Sequence, residues 1–589
     1  MRRLNFILLF IGTLMIILLS RVYFLSIKSN TYYEQLSKQN YIKRVYQAPS
    51  RGLIEDRNGI PLAINNLGFS ITVKPHLKSY KNKQKLHNIV KIIAKHFPEY
   101  KEDELLKRYK KLDSPYKHDY VNLIDYIAYD DFFSKFTLFN SIEDIKVEPS
   151  VKRYYPFHNA ASHIIGYVGK ASRENMNNNE LSKYSGIVGK NGLEKYYNEK
   201  LQGTLGYKDI KVNALNKELE VLKEKKPNED NNLKLTIDIE LQKYIQKIFT
   251  HKSGAVIVID VNNGELLAAA SFPEFDNNIF VGGISQKDWD EMRNSFDHPF
   301  TNKLVNGLYP PGSIHKMGVA LALLEHGISP SYSVYCNGEL QIGNRKFRCW
   351  KQRGHGRTGF RKALRESCDD FFYKASLKVG INKISKTLEK YGFGQETGID
   401  QINEFIGVNP NKNWKRERYN QPWYIGETVI SSIGQGYTLV TPMQVARYTA
   451  FLATGKLPRP HFYKDNHEEP VEVPTDPEYL KIIRQGMYDV ANKRFGTAQR
   501  HIRSKVTIAA KTGTAQVISI PQSEKKRMKE SELEYYHRSH AWLNTYGPYE
   551  NPQYAVVALI EHGGHGGSAA GPMVSKIYDK LYDLGYIKK

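Results

Sequence analysis

The chain has 589 residues, room for two to four domains that each bury their own core. Hydrophobic residues make up 41% and aromatics 12%, which excludes a disordered polymer, and three cysteines are too few for a disulfide framework. A net charge of +24 reads either as a solvated basic surface or as attraction to anionic lipid heads or an acidic polymer; no nucleic-acid motif accompanies it.

Leu4 to Ser20 is mostly apolar, Arg21 interrupts the run, and Val22 to Leu25 extends it. A helix of roughly 20 apolar residues crosses a bilayer, so residues 1–27 are expected to form a transmembrane anchor. A cleavable signal would need a small-x-small site after the apolar run, and Leu19-Ser-Arg-Val-Tyr23 is a poor one. Arg2 and Arg3 favour a cytoplasmic N-terminus; Lys28, Lys38 and Lys43 weaken a pure charge count, but long downstream domains translocate regardless. Arg21 reads as snorkelling to the outer interface, or as a contact with a membrane partner.

Residues 28–232 read as an extended, mixed α/β pedestal. Arg51 to Ala63 is a strand, an Asn58-Gly59 turn and a second strand, and residues 83–112 carry amphipathic helical patterns. The polar run Lys225 to Asn232 marks a boundary. From 233 to 589 the texture changes: Leu235 to Gln242 leads into a helix, and Gly254–Asp260 with Glu265–Ala270 is a hairpin. A helical stretch from Ser313 to about Ala453 follows, then apolar strands at 506–517 and 553–561. Strands at both ends with helices between predict an α+β domain, an antiparallel sheet flanked by helices.

Pro310, Pro311 and Gly312 force a turn, after which good helix formers run to Gly327, a natural C′ residue. The predicted helix starts at Ser313 and is apolar nearly all round, as a core helix is. Ser313 and Lys316 share a face at its positive end, where a partly desolvated lysine can take the serine's proton. Ser-x-x-Lys also occurs at Ser114–Lys117 and Ser523–Lys526, so the motif alone is weak. Ser367-Cys-Asp369 and Lys511-Thr-Gly513 follow in order. On a strand, Lys511 supplies a cation, Thr512 a hydroxyl, and Gly513 room for a substrate backbone along the edge.

Ser313-x-x-Lys316, Ser367-x-Asp369 and Lys511-Thr-Gly513 together resemble the penicillin-binding proteins and serine β-lactamases. Arg51-Gly-x-Ile-x-Asp-Arg-Asn-Gly59, Leu235-Thr-Ile-Asp238, Ser432-Ile-Gly-Gln-Gly436 with Thr441-Pro442, and Lys511-Thr-Gly-Thr514 look like the class B proteins. Tyr309-Pro-Pro-Gly-Ser313, Ser-Cys-Asp in place of Ser-x-Asn, and Gly354-His-Gly356 resemble the penicillin-binding protein 2 branch, the transpeptidases of cell elongation. The resemblance implies that Ser313 attacks the penultimate D-Ala carbonyl of a stem peptide, with Lys316 as general base and its cationic form disfavoured by Lys511. It implies a proton shuttle at Ser367 and an oxyanion hole from the amides of Ser313 and Thr514. Thr512 and Thr514 would hold the substrate carboxylate, and an amine of a second stem peptide would resolve the acyl-enzyme. Asp369 departs from the commoner Asn, so its role stays open. β-Lactams would acylate the same serine. Implied partners are the inner membrane, a SEDS-family glycan polymerase and rod-shape scaffold proteins, with the catalytic domain periplasmic. The alternatives are a division-specific transpeptidase, a β-lactamase, a β-lactam sensor or a noncatalytic assembly factor.

All three cysteines fall in one stretch with His355, as Cys336-x12-Cys349-x5-His355-x12-Cys368. A Cys3His set suits structural Zn²⁺, and some relatives in this branch carry zinc near the active site. The other reading is one disulfide plus a free thiol.

Overall fold

A computed structural model describes residues 2–28, 41–78, 82–116, 120–213, 218–228, 230–518 and 529–588. Lys38, Lys117 and the Ser523–Lys526 pair lie outside them. The chain forms two compact units.

The first unit comprises Met1–Gly52, Ala171–Ile187 and Glu199–Asn231. Its helix Arg2–Tyr23 continues as a wider turn through Lys28, and the whole is long and apolar enough to cross a membrane. A three-stranded antiparallel sheet follows, with Gly206–Val212 between Ile42–Gln47 and Glu218–Lys225. Arg44 and Asp209 face each other across it and bond at 2.7 and 2.9 Å.

The second unit comprises Leu53–Lys170, Val188–Asn198 and Asn232–Lys589. Its first layer is built on β1 (Ile54–Glu55) and β2 (Pro61–Val73), joined by the Asn58-Gly59 turn. Asp56 Oδ1 accepts the amides of Asn58 and Ile60, both at 2.8 Å, and Gly59 supplies the positive φ of 84°. Strand β2 pairs with β3 (Val121–Ala128) and β4 (Ile145–Tyr154). Helices Lys83–His96 and Glu102–Leu112 cover this sheet with Leu86, Val90, Ile93 and Leu105. The two early motifs interlock. β5 (Leu233–Lys234) runs parallel to β1, and Asp56 Oδ2 accepts the Ile239 amide of α1 (Ile239–Ile248), a helix capped by Asp238.

The next layer is a five-stranded antiparallel sheet. Its strands are β6 (Gly254–Asp260), β7 (Leu266–Phe272), β8 (Ala509–Ala515), β9 (His540–Gly547) and β10 (Tyr554–Ile560), ordered β7-β6-β10-β9-β8. α1 and the C-terminal helix Gly566–Asp583 pack through Leu241, Ile245, Val574 and Ile577 into one core with the strands. The α+β expectation holds, with corrections. β9 and the C-terminal helix were not foreseen: β9 buries Asn544 and Thr545, which bond internally to Thr449 and the Val556 carbonyl, and the helix opens on Gly566-Gly567 and contains Pro572. The helical stretch from Ser313 is interrupted by small hairpins, Ser333–Cys336 with Gly356–Gly359 and Glu339–Ile342 with Arg345–Arg348.

Candidate active site

Ser313 does not begin the α-helix as expected. It lies in a 3-10 turn, Gly312–His315, and the buried α-helix runs from Lys316 to Glu325. Gly327, at φ 90°, ends it: its amide bonds the Leu324 carbonyl, and the Ile328 amide the Leu323 carbonyl. The 3-10 turn is wedged between β8 and the Ser432–Gly436 loop by three glycines. A Cβ at Gly434 would lie 2.3 Å from the Gly312 oxygen, and one at Gly312, φ 55°, 2.8 Å from the Thr514 oxygen. A Cβ at Gly513 would meet Trp542 Cβ at 2.9 Å and Ile314 Cγ2 at 3.0 Å. Gly513 therefore clears space for the turn that carries Ser313.

Two lysines converge beside this turn. Lys316, 0% exposed, donates from Nζ to Asp369 Oδ1 at 2.7 Å, to the Ser367 carbonyl at 3.0 Å and to Ser367 Oγ at 3.3 Å. Lys511 donates to the same Oγ at 3.0 Å and to the Thr512 carbonyl at 3.0 Å. Burial and the nearby Lys316 push Lys511 well below the usual lysine range, with Asp369 opposing. Lys316 also has the Asp369 carboxylate in contact. Burial pushes the Asp369 carboxyl up against the pull of Lys316. Its second oxygen accepts the Trp350 amide at 2.9 Å. Among the described residues the Ser313 hydroxyl has no hydrogen bond.

Ser367 occupies the left-handed region, φ 55°, at the position after helix Phe360–Arg365 where glycine is usual. Its amide bonds the Leu364 carbonyl, and that of Cys368 the Ala363 carbonyl. Such a conformation costs a non-glycine residue about 1–3 kcal/mol and survives where surroundings enforce it. Asp369 then opens helix Asp369–Val379. Thr512 and Thr514 share a face of β8; the Thr512 hydroxyl bonds Thr497 Oγ1 at 2.6 Å, and Thr514 is half-buried.

Cys336, Cys349, His355 and Cys368 are all buried, and their ligand atoms lie within 4.8 Å of one another. The cysteines are free, so the disulfide reading is not realised here. His355 Nδ1 stands 3.6 Å from Cys336 Sγ and 3.5 Å from Cys349 Sγ. Gly354, φ 72°, lets the loop pass, since a Cβ there would lie 2.1 Å from the Cys336 oxygen.

Residues 254–579 match the penicillin binding protein transpeptidase domain, and residues 46–235 the penicillin-binding protein dimerisation domain. The peptidoglycan D,D-transpeptidase MrdA of Escherichia coli (strain K12) is 34% identical, covering 97% of this chain and 93% of its own. PBP2 of Helicobacter pylori, solved in complex with MreC, is 43% identical with a TM-score of 0.86, covering 93% of this chain and 99% of its own. A chain from a peptidoglycan synthase complex that coordinates polymerization and crosslinking is 26% identical with a TM-score of 0.71, covering 99% and 98%. The chain belongs to the penicillin-binding protein 2 family.

As a penicillin-binding protein 2 it is a peptidoglycan D,D-transpeptidase of the elongation branch rather than the division type. Hydrogen bonds join Lys316, Ser367, Asp369 and Lys511; Ser313 lies on the turn packed against Gly513, with Thr512 and Thr514 on the same strand. Sequence reasoning missed Trp350, Thr497 and Trp542. Trp542 Nε1 holds the Pro310 carbonyl at 3.1 Å. No local pattern singles these residues out; they are brought in by tertiary folding.

Proposed function

We propose that this transpeptidase works through an acyl-enzyme on Ser313. Supporting it is the convergence of both lysines on the Ser367 hydroxyl, with Lys316 opening the helix that continues from the Ser313 turn. Lys316 acts as general base, taking the Ser313 proton as Oγ bonds to the penultimate D-Ala carbonyl carbon. The C–N bond to the last D-Ala breaks, and Ser367 passes a proton to the leaving amine. Ser367 Oγ is the relay between Lys316 and Lys511. The amides of Ser313 and Thr514 stabilise the oxyanion. An acceptor stem-peptide amine then takes the acyl group and Ser313 regains its proton; water in that place gives carboxypeptidase hydrolysis. Thr512 and Thr514 hold the substrate carboxylate beside Lys511. A β-lactam acylates Ser313 and stays. Labelling by fluorescent penicillin, stable in the wild type and absent in Ser313→Ala, tests this; label retained in the variant would refute the nucleophile.

The helix Arg2–Tyr23 anchors the chain in the bacterial inner membrane, with Arg2 and Arg3 cytoplasmic and the catalytic layer periplasmic. The relatives solved with MreC and in a synthase complex support a rod-shape scaffold and a SEDS-family glycan polymerase as partners.

Cys336, Cys349, His355 and Cys368 fit structural Zn²⁺. Tetrahedral bonds of about 2.3 Å to sulfur and about 2.0–2.1 Å to nitrogen imply S–N edges of about 3.6 Å, as found between His355 Nδ1 and both sulfurs. The ion would supply a crosslink and charge for three thiolates. Cys368 joins directly to Ser367, so the four donors would set the backbone on which Ser367 sits. Metal analysis of the purified protein tests this; no zinc, with a disulfide by mass, would refute it.

A further inference from the structure

Ser367 needs an agent to hold it, and the two lysines reach it from the buried side only. On the other side stands Trp350, directly after Cys349 and 51% exposed. Its indole Nε1 donates to the Glu366 carbonyl at 3.0 Å and to the Ser367 carbonyl at 3.1 Å. Its main-chain amide donates to Asp369 Oδ2 at 2.9 Å. One residue therefore grips the peptide units on both sides of the Ser367 Cα–N bond and the carboxylate that fixes Lys316. The ring is itself steadied edge-on against His355, centroids 5.5 Å apart.

We propose that Trp350 is a positioning residue of the transpeptidase. Its indole N–H locks Ser367 in the left-handed conformation that presents Oγ to Lys316 and Lys511. The Ser367 carbonyl accepts from Lys316 as well as from the indole, so it has two donors on two sides and cannot rotate without losing one. An imidazole Nε2–H occupies nearly the place of the indole Nε1–H, whereas a phenyl ring offers no donor. The inference rests on the proton-relay reading of Ser367.

The test is penicillin acylation of the full-length protein in detergent, resolved by concentration series into reversible binding and the acylation step. Trp350→Phe is expected to slow acylation at least tenfold, to change the binding constant less than threefold, and to shift the pH–rate profile. Trp350→His is expected to recover most of the rate. In a Ser367→Gly background, where neither the hydroxyl nor the strain remains, Trp350→Phe should cause no further loss. Acylation of Trp350→Phe within twofold of wild type, or a histidine variant as slow as the phenylalanine one, would overturn the proposal. If Trp350→Phe does not fold, it should fold once paired with Ser367→Gly; unfolding in both backgrounds also overturns it. Ser367→Gly alone is the control for the relay: acylation there within twofold of wild type would remove the relay reading itself, a result distinct from an unimpaired Trp350→Phe.

Discussion

Lys316 and Lys511 stand on two sides of one hydroxyl, donating to Ser367 Oγ at 3.3 and 3.0 Å. Only Lys316 has a carboxylate in contact, so the cost of a second buried charge falls on Lys511. On the proposed mechanism, a proton taken from Ser313 has a short route through Ser367 toward Lys511.

The left-handed Ser367 makes one substitution informative. Ser367→Gly should be more stable than Ser367→Ala by about 1 kcal/mol, because glycine adopts φ 55° without a Cβ penalty. Thermal melting of the two variants measures the difference. Both should lose penicillin acylation by about a hundredfold or more, the scale of a missing general acid–base group.

Gly513→Ala should cost about 1–3 kcal/mol of stability, since its methyl must displace Ile314 and Trp542. Because Ile314 follows Ser313, acylation should slow as well. Denaturant unfolding and penicillin labelling together check both effects.

Glu274 predicts a pH dependence. Burial raises its carboxyl to about 8, and its Oε2 is buried without a partner. The folded protein keeps this proton through a range where the unfolded chain has lost it. Stability from this group is full below pH about 4.5 and is lost as pH rises through about 8. Glu274→Gln should flatten that slope, matching wild type in acid and exceeding it above pH 8, by at most about 5 kcal/mol. Melts across pH 4–9 read the crossover.

If the four-donor cluster holds zinc as proposed, chelating it should lower the thermal midpoint and slow acylation together, since Cys368 adjoins Ser367. Cys368→Ser should reproduce the effect without chelator. Metal content, melting and labelling on one preparation check it.

The motif residues were legible because each lies in a local pattern: a Pro-Pro-Gly break before a helix, an Asn-Gly turn, a strand Lys-Thr-Gly. β9 was not, because Asn544 and Thr545 look like loop residues until Thr449 and Val556 supply partners from elsewhere in the chain. The turn at Ser313 was misread as helix for the same reason: its 3-10 form depends on Gly434 and Gly513, distant in sequence. The Cys3His set could be read as a list of donors, but its closure required two hairpins that apolar periodicity did not reveal.

β8 closes the sheet order, and among the described residues it pairs with β9 alone. Its outer amides and carbonyls are thus a template for one more extended chain. Recognition through main-chain groups is blind to every other side chain, which points away from the sheet. If the donor carboxylate sits at Lys511 as proposed, the enzyme would read that end closely while tolerating changes in the residues upstream. Chemical variation in the wall peptide would then leave crosslinking intact so long as the terminal pair is kept.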